Sequence, residues 1–326
     1  STHKDLLPPK HRPVEGLGTR GRRYTTEPGT IFQMDWGFVD VETESGGGLR
    51  AACFAMICHY CGECYLEFFP NARQENLFIG MIHAFRFLGV PAYVLTDNMK
   101  SVVIGRTLER HPIWQHDYAS FMQTIGFQTK LCKPRHPYTK GKVERLIRYA
   151  KDNLVSNINV NNLNDLNAAS REWCNKQNSI CHAGCDLVPE EVHSTKCSRN
   201  IHPLQEKAEL MNYLCPIRRI SFDGFVTYEG RRFGVPGWYA KNCVRVCREY
   251  DTLTIYSEDL KKVLRTYAVT WSRQDSCCSD QFSGKEPEEL PTMPVRTVVH
   301  LEERKSFENE DFFKKFDFTK EGPKDE

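Results

Sequence analysis

The sequence lacks any apolar run approaching the roughly 18 residues of a membrane-spanning helix, and its N-terminus lacks the apolar segment of a signal peptide. It also has little net charge, only +2 at pH 7, so the total charge alone indicates no nucleic-acid partner. We therefore expect a cytosolic globular protein, and 326 residues suffice for two domains. Because the chain begins with Ser1 rather than Met, we expect further residues upstream.

Cysteine is abundant, with 14 residues, but disulfide scaffolds belong to short secreted chains, so reduced thiols are expected. Two overlapping CxxC pairs occupy residues 58–64. A second group contains Cys174, Cys181, His182 and Cys185. One alternative is a structural zinc ion joining the two groups. The other, which the apolar neighbours of the first group favour, is a set of buried reduced cysteines.

Acidic residues are almost absent between Lys130 and Lys151, where Glu144 is the single carboxylate among eight cations. The cations are Lys130, Lys133, Arg135, Lys140, Lys142, Arg145, Arg148 and Lys151. An apolar stripe predicts a helix, with Lys140, Glu144, Arg148 and Lys151 on a neighbouring face. The stripe consists of Val143, Ile147, Ala150 and Leu154. Such a field suits a polyanion, and the alternative is a solvated basic helix with a Glu144–Arg148 ion pair.

Residues 1–28 form a predicted basic arm that includes Arg20, Arg22 and Arg23. The arm either tracks phosphates or is a disordered linker. The GxGxxG pattern at 16–21 has no strand before it and no helix after it, so we attribute it to coincidence.

The order of predicted elements indicates an α/β domain. Residues 31–39 form a strand with Asp35 at its centre, and residues 49–69 form two more strands joined at Gly62. A helix capped by Asn71 follows, and then a strand over 91–98 that ends in Asp97. A carboxylate within an apolar strand is costly unless it is paired or binds a metal.

After a loop that carries Lys100, a helix over 114–125 and a strand over 127–132 lead to the Glu144 helix. This succession of three strands, a helix, a strand, a helix, a strand and a final helix is the ribonuclease H-like layout. We therefore predict a ribonuclease H-like domain over 29–200 that includes a helical brace.

The motifs FQMDWG, VLTDN and KPRHPYTKGKVERLIRYAKDN, in this order, resemble the three catalytic motifs of the DDE transposases and integrases. More narrowly, they are similar to the IstA-type transposases of bacterial insertion sequences, over about residues 32–232. The resemblance implies an acidic triad of Asp35, Asp97 and Glu144, at intervals of 62 and 47 residues. It also implies two Mg²⁺ (or Mn²⁺) ions in the active site. The family's N-terminal helix-turn-helix region has no match within the sequence.

The cations near the triad are candidates for holding DNA phosphates. The predicted DNA contacts are Lys100, Lys133, Arg135, His136, Tyr138, Lys140, Lys142, Arg148 and Lys151, together with Arg20, Arg22 and Arg23 of the arm.

The rest of the chain is predicted to form a helical linker (201–215), a small SH3-like β-barrel (216–270) and a low-order tail (271–326). The barrel resembles the one that follows the catalytic core in this family. Its cations either bind DNA or keep the barrel soluble, and they are Arg218, Arg219, Arg231, Arg232, Lys241, Arg245 and Arg248. Phenylalanines in the tail suggest a segment that orders on a partner.

Three functions remain open: a transposase that cuts and joins DNA, a nonenzymatic DNA-binding or assembly protein with the same fold, and a nuclease acting alone. The resemblance implies DNA, a second copy of the chain, and an IstB-type AAA+ ATPase as partners.

Overall fold

The computed structural model describes residues 26–42, 46–109, 111–132, 141–182, 186–249, 252–269 and 274–285, with only the backbone at Leu49. None of the helices within these ranges combines the length and the apolar character needed to cross a bilayer. The cysteines in this part of the chain are free thiols.

The strands of the first domain are β1 (Ile31–Glu42), β2 (Gly48–Cys58), β3 (Cys64–Phe69), β4 (Tyr93–Thr96), β5 (Val103–Arg106), β6 (Pro112–Trp114) and β7 (Gln128–Leu131). Five of them form a mixed sheet at the centre of the domain, in the order β3-β2-β1-β4-β7. The first three form the predicted antiparallel meander, and β4 and β7 continue the sheet in parallel with β1. This is the ribonuclease H-like order expected from the sequence. β5 and β6 form a separate hairpin where only a loop was predicted.

Helices cover both faces of the sheet. They are α1 (Gln74–Leu88), α2 (His116–Ile125), α3 (Gly141–Asn153), α4 (Leu163–Ser179), α5 (Pro189–Thr195) and α6 (Leu210–Leu214). Side chains alternate along β1, so Phe32 and Met34 join a core that includes residues of α1 and α2. Val39 and Val41 join a second core with α3 and α4. Odd-numbered residues of β1 therefore face α3.

The predicted cap at Asn71 is wrong. Helix α1 begins at Gln74 after Arg73, whose side chain makes no capping hydrogen bond. The Asn71 side chain instead accepts a hydrogen bond from the Arg73 N–H at 3.0 Å. Asn commonly bonds the backbone two residues on, so it forms a turn ahead of the helix.

The second domain has two sheets around one apolar core. Its strands are β8 (Ile217–Arg219), β9 (Phe225–Tyr228), β10 (Arg231–Gly234), β11 (Cys243–Glu249), β12 (Thr252–Ser257) and β13 (Val263–Ala268). The sheet β13-β12-β11-β8 and the hairpin β9-β10 share a core that includes Val226, Phe233, Val246, Ile255 and Leu264. Strand β13 was not identified from the sequence, where the residues of its polar face obscure the alternation.

Residues 274–285 were predicted to begin the low-order tail, yet they pack on the second domain. The Gly234 N–H donates to Ser276 O at 2.7 Å, and the Gly237 N–H donates to Asp280 O at 2.9 Å. Gln281 is 3% exposed. Backbone donors of β10 and the following turn need partners, and this segment supplies them.

Candidate active site

The parallel register of β1 and β4 puts two of the predicted carboxylates at equivalent positions along neighbouring chain segments. Gln33 lies opposite Leu95 in the parallel pair, and two more residues along both strands lead to Asp35 and Asp97. Neighbouring strands are about 4.8 Å apart. Asp35 is half-buried within β1, whereas Asp97 is exposed just beyond the end of β4.

Helix α3 brings the third carboxylate to the same region. The Val143 N–H donates to Gln33 Oε1 at 3.2 Å. One helical turn later, Ile147 Cγ2 lies 2.5 Å from the position that a Cβ on Gly37 would occupy. Gln33 and Gly37 flank Asp35 on the face of β1 that α3 covers. Glu144, which follows Val143 in the first turn, is exposed to solvent beside this contact.

The apolar stripe of α3 is buried as predicted. Val143, Ile147, Ala150 and Leu154 all lie in the core. Each fully buried aliphatic side chain of the size of Val, Ile or Leu contributes about 1.5–3 kcal/mol, so the stripe holds the helix on the sheet.

The polar face of α3 is open, with Glu144, Arg148 and Lys151 exposed. The hydrogen bonds and ion pairs of the described residues include no Glu144–Arg148 pair. The Glu144 carboxylate thus stands at the rim of the core beside a row of cations.

Lys142 points away from this face. Its ammonium group donates to His59 O at 2.5 Å, at the start of the turn between β2 and β3. Burial and the nearby Lys142 charge together lower the pKa of His59 to about 4. A phosphate contact by Lys142 stays a prediction, and in this structure its ammonium group holds the turn.

The loop after Asp97 is built by contacts that the sequence did not reveal. The Met99 N–H donates to Asp97 O at 2.8 Å, and Arg106 of the β5-β6 hairpin donates to Asn98 Oδ1 at 2.9 Å. Lys100 is exposed in this loop. This contact was not predictable from the sequence, because Arg106 lies in β5, within a stretch for which only a loop was predicted.

An open groove of about 560 Å³ lies beside the loop, on the side of α1. Its lining residues are Trp36, Ala72, Arg73, Gln74, Met99, Lys100, Ser101 and Gln115. Gln74 Nε2 donates to Ser101 O at 2.8 Å and joins α1 to the loop. Arg73 and Lys100 give this groove cationic walls.

The remaining predicted DNA contacts lie outside the described residues. They are Lys133, Arg135, His136, Tyr138 and Lys140 before α3, and Arg20, Arg22 and Arg23 in the N-terminal arm.

Most cations of the second domain have protein partners. Arg218 forms a two-pronged ion pair with Glu75 of α1, and Arg232 pairs with both Asp223 and Asp275. Pairs or carbonyl contacts also engage Arg231, Lys241, Arg245 and Arg248. The structure therefore favours a structural role for these cations over a phosphate-binding surface.

The cysteines group differently from the zinc alternative considered above. Cys58 and Cys61 lie with His193 and Cys197, and the four donor atoms are all within 4.8 Å of one another. His182 instead hydrogen-bonds Gln177 O at 2.9 Å. Cys185 lies outside the described residues. The sequence signal that was missed is the HxxxC spacing at 193–197.

Comparison with curated proteins finds transposases of insertion sequences. The putative transposase for IS5376 of Geobacillus stearothermophilus is 31% identical over 221 residues, which are 67% of this chain and 54% of that protein. The IS232 transposase of Bacillus thuringiensis subsp. berliner is 27% identical over 75% of this chain and 57% of that protein. The IS21 transposase of Pseudomonas aeruginosa is 24% identical over 73% of this chain and 61% of that protein.

The chain is a member of the DDE transposase and integrase superfamily. It spans little more than half the length of the curated relatives it matches. No family model matches the sequence.

Among solved structures, this superfamily member is similar to a chain of the simian T-cell lymphotropic virus intasome complex with PP2A regulatory subunit B56 gamma. The TM-score is 0.40 and the identity 14%, over 76% of this chain and 78% of that one. It is also similar to the HTLV-2 integrase catalytic core domain in complex with magnesium, with a TM-score of 0.36, 14% identity, and coverage of 51% and 97%.

Proposed function

We propose that the chain is the catalytic part of a DNA transposase, which cleaves phosphodiester bonds at transposon ends and joins the 3′-OH ends to target DNA. The observation that supports this proposal is the β1-β4 register, in which Gln33 pairs with Leu95 two residues before Asp35 and Asp97, together with the hydrogen bond that docks the helix of Glu144 on β1. The transposase relatives support it.

The donor set fits Mg²⁺ or Mn²⁺, because carboxylate oxygens are the ligands these hard cations prefer. We assign Asp35 as the ligand shared by two ions, with Asp97 and Glu144 each holding one. The half-burial of Asp35 in a central strand suits the shared position, since Asp35 pairs with Ala55 of β2 within the sheet. Two bound ions would stabilise the attacking and leaving oxygens of an in-line displacement.

The protein's own contribution is to hold these carboxylates rigidly and to position DNA. The Gln33 side chain accepts from the Val143 N–H, so the first turn of α3 keeps a constant position over β1. Arg148 and Lys151 extend from the same helix toward solvent, where they neutralise DNA phosphates. Lys100 does so on the other side of Asp97. Sites built on strands and helices are more precise than sites on loops.

We also propose that the enzyme acts as at least a dimer on paired DNA ends, and that an IstB-type ATPase delivers it to target DNA. The segment we assign to the ATPase contains Phe312, Phe313 and Phe316, which lie outside the described residues. Deletion of residues 301–326 should leave joining of preprocessed ends unchanged and impair ATPase-stimulated transposition. Unimpaired stimulation in the truncated protein would exclude this segment.

The decisive experiment is a Mg²⁺-dependent assay with a preprocessed DNA end, comparing Asp97→Asn with Asp152→Asn. Both residues are exposed aspartates, and Asp152 lies near the end of α3. Asp97→Asn should abolish cleavage and joining while DNA binding and melting temperature stay close to those of the unaltered chain, because it removes a ligand charge outside the core. Asp152→Asn should remain active.

The same assay separates the alternatives. Joining by the unaltered chain supports the transposase, cutting without joining supports a nuclease, and binding without either reaction supports an assembly protein. Retained joining in Asp97→Asn would remove Asp97 from the active site.

A further inference from the structure

A cluster of four metal-binding side chains lies at the end of the sheet where β1 begins, apart from the carboxylates. Cys58 ends β2 and Cys61 lies in the turn to β3. His193 belongs to α5, and Cys197 begins the 3-10 helix Cys197–Asn200 that follows. The three cysteines are at most 3% exposed. Two ligands thus come from a hairpin and two from the helical brace.

The spacing between donor atoms fits a tetrahedral zinc site. Zinc bonds of about 2.3 Å to sulfur and about 2.0 Å to nitrogen place two sulfurs about 3.8 Å apart, and a sulfur and a nitrogen about 3.5 Å apart. Cys58 Sγ and Cys197 Sγ are separated by 3.9 Å, and Cys61 Sγ and His193 Nδ1 by 3.3 Å. The four side chains would need to move little to complete the coordination shell of a zinc ion.

The surroundings of the ligands are those of a metal site. His193 Nε2 lies 2.8 Å from Leu88 O, so an Nε2–H donates there and directs Nδ1 into the cluster, the orientation that a metal-binding histidine needs. The Glu63 N–H lies 3.5 Å from Cys61 Sγ and donates to it, which stabilises a thiolate. Gly62 between them adopts a φ of +84°, the left-handed turn that this approach requires.

Charge balance also favours a cation here. Glu63 is 7% exposed, and its Oε2 forms an ion pair with His193 Nδ1 at 2.9 Å. One imidazolium balances only one carboxylate, so thiolates buried at the same place need a further positive charge.

We propose that Cys58, Cys61, His193 and Cys197 bind one structural zinc ion. Three thiolates and an imidazole select zinc over the magnesium of the carboxylate site. With four protein ligands and little solvent access, the shell is closed, which is the mark of a structural rather than a catalytic zinc.

The ion would join segments far apart in sequence. Next to the cluster, Asn200 Nδ2 donates to Pro28 O at 2.9 Å, and the His59 N–H donates to Ile31 O at 3.0 Å. The backbone at Gly29 approaches Cys197 so closely that a Cβ there would lie 2.3 Å from its carbonyl oxygen. Zinc would therefore clamp the brace and the β2-β3 turn around the start of β1, the strand that carries Asp35.

The test is the metal content of the full chain, expressed with zinc and purified without chelator, by inductively coupled plasma mass spectrometry. We expect one zinc per chain, and the same content in Asp97→Asn, since the carboxylates are not its ligands. His193→Ala should lose the zinc, whereas His193→Cys should retain it. Cys174→Ala is the matched control, because Cys174 is equally buried but outside the cluster, and it should keep its zinc.

Cobalt substitution tests the unaltered chain, so the result does not depend on a variant that folds. Co²⁺ should give the visible absorption of a tetrahedral site together with a thiolate charge-transfer band, and zinc should displace it. A zinc-free protein without these bands would overturn the proposal. So would a Cys58–Cys197 disulfide in the purified chain, or zinc that is lost in Asp97→Asn and kept in His193→Ala.

Discussion

The close approach of α3 to β1 makes Gly37→Ala the sharpest test of how the active site is held. A Cβ at residue 37 would lie 2.5 Å from Ile147 Cγ2, against about 3.5–4.0 Å for an ordinary carbon contact. Ile147 is buried, and this methyl is attached to its Cβ, so rotation of the chain end does not relieve the contact. The helix must therefore move by roughly 1 Å, as the difference between those distances requires.

The expected effects are a loss of stability and a larger loss of activity. Overpacking of a core typically costs about 1–3 kcal/mol, which urea unfolding would measure. The movement also carries Glu144 away from Asp35, and a misplacement of about 1 Å in a catalytic group costs roughly 100-fold in rate. Strand joining by Gly37→Ala should fall accordingly, while its affinity for DNA changes little.

Second-site changes make the reasoning refutable. Ile147→Ala removes the offending methyl and should restore part of the joining activity to Gly37→Ala, whereas Ile147→Val keeps a methyl there and should not. Gly48→Ala is the control, because a Cβ at that strand position meets nothing within 4 Å. Full activity and stability in Gly37→Ala, or equal rescue by both substitutions, would refute the argument.

Three further predictions concern charge. Arg148→Gln and Lys151→Gln should each reduce the slope of log affinity for DNA against log salt by about 0.9, and an unchanged slope in the double variant would make these residues a solvated face. A double-mutant cycle on Arg218 and Glu75 should give a coupling of about 1 kcal/mol in unfolding, discounted for partial exposure, with DNA affinity unaffected. Burial lowers the pKa of His83, but the carboxylate of Glu67 on β3 outweighs burial, so the pKa of His83 is raised. The pair therefore stabilises the fold fully below about pH 6.5 and loses this contribution as pH rises through the raised value, so His83→Gln should cost more near pH 6 than near pH 9.

The local pattern of the sequence was enough to predict the elements that carry the site. Asp35 interrupts an apolar strand, Asp97 ends another, and the stripe of α3 leaves Glu144 at its rim, because alternation and helical period are local properties. The hairpin β5-β6 and strand β13 were missed, since these short segments mix apolar with polar residues and lack a clear period. The paired state of Arg218 was not predictable either, because its partner Glu75 lies in the other domain.

The sequence by itself determined which carboxylates are available and which face of α3 is buried. Only the tertiary structure decided that the interval between Asp35 and Asp97 equals the register of β1 and β4, because strand pairing depends on contacts across the whole sheet. The tertiary structure alone decided that Cys58 and Cys61 lie beside His193 rather than beside His182, which is nearer in sequence. That choice follows from the packing of α5 against α1 and the start of β1, which no pattern within either segment predicts.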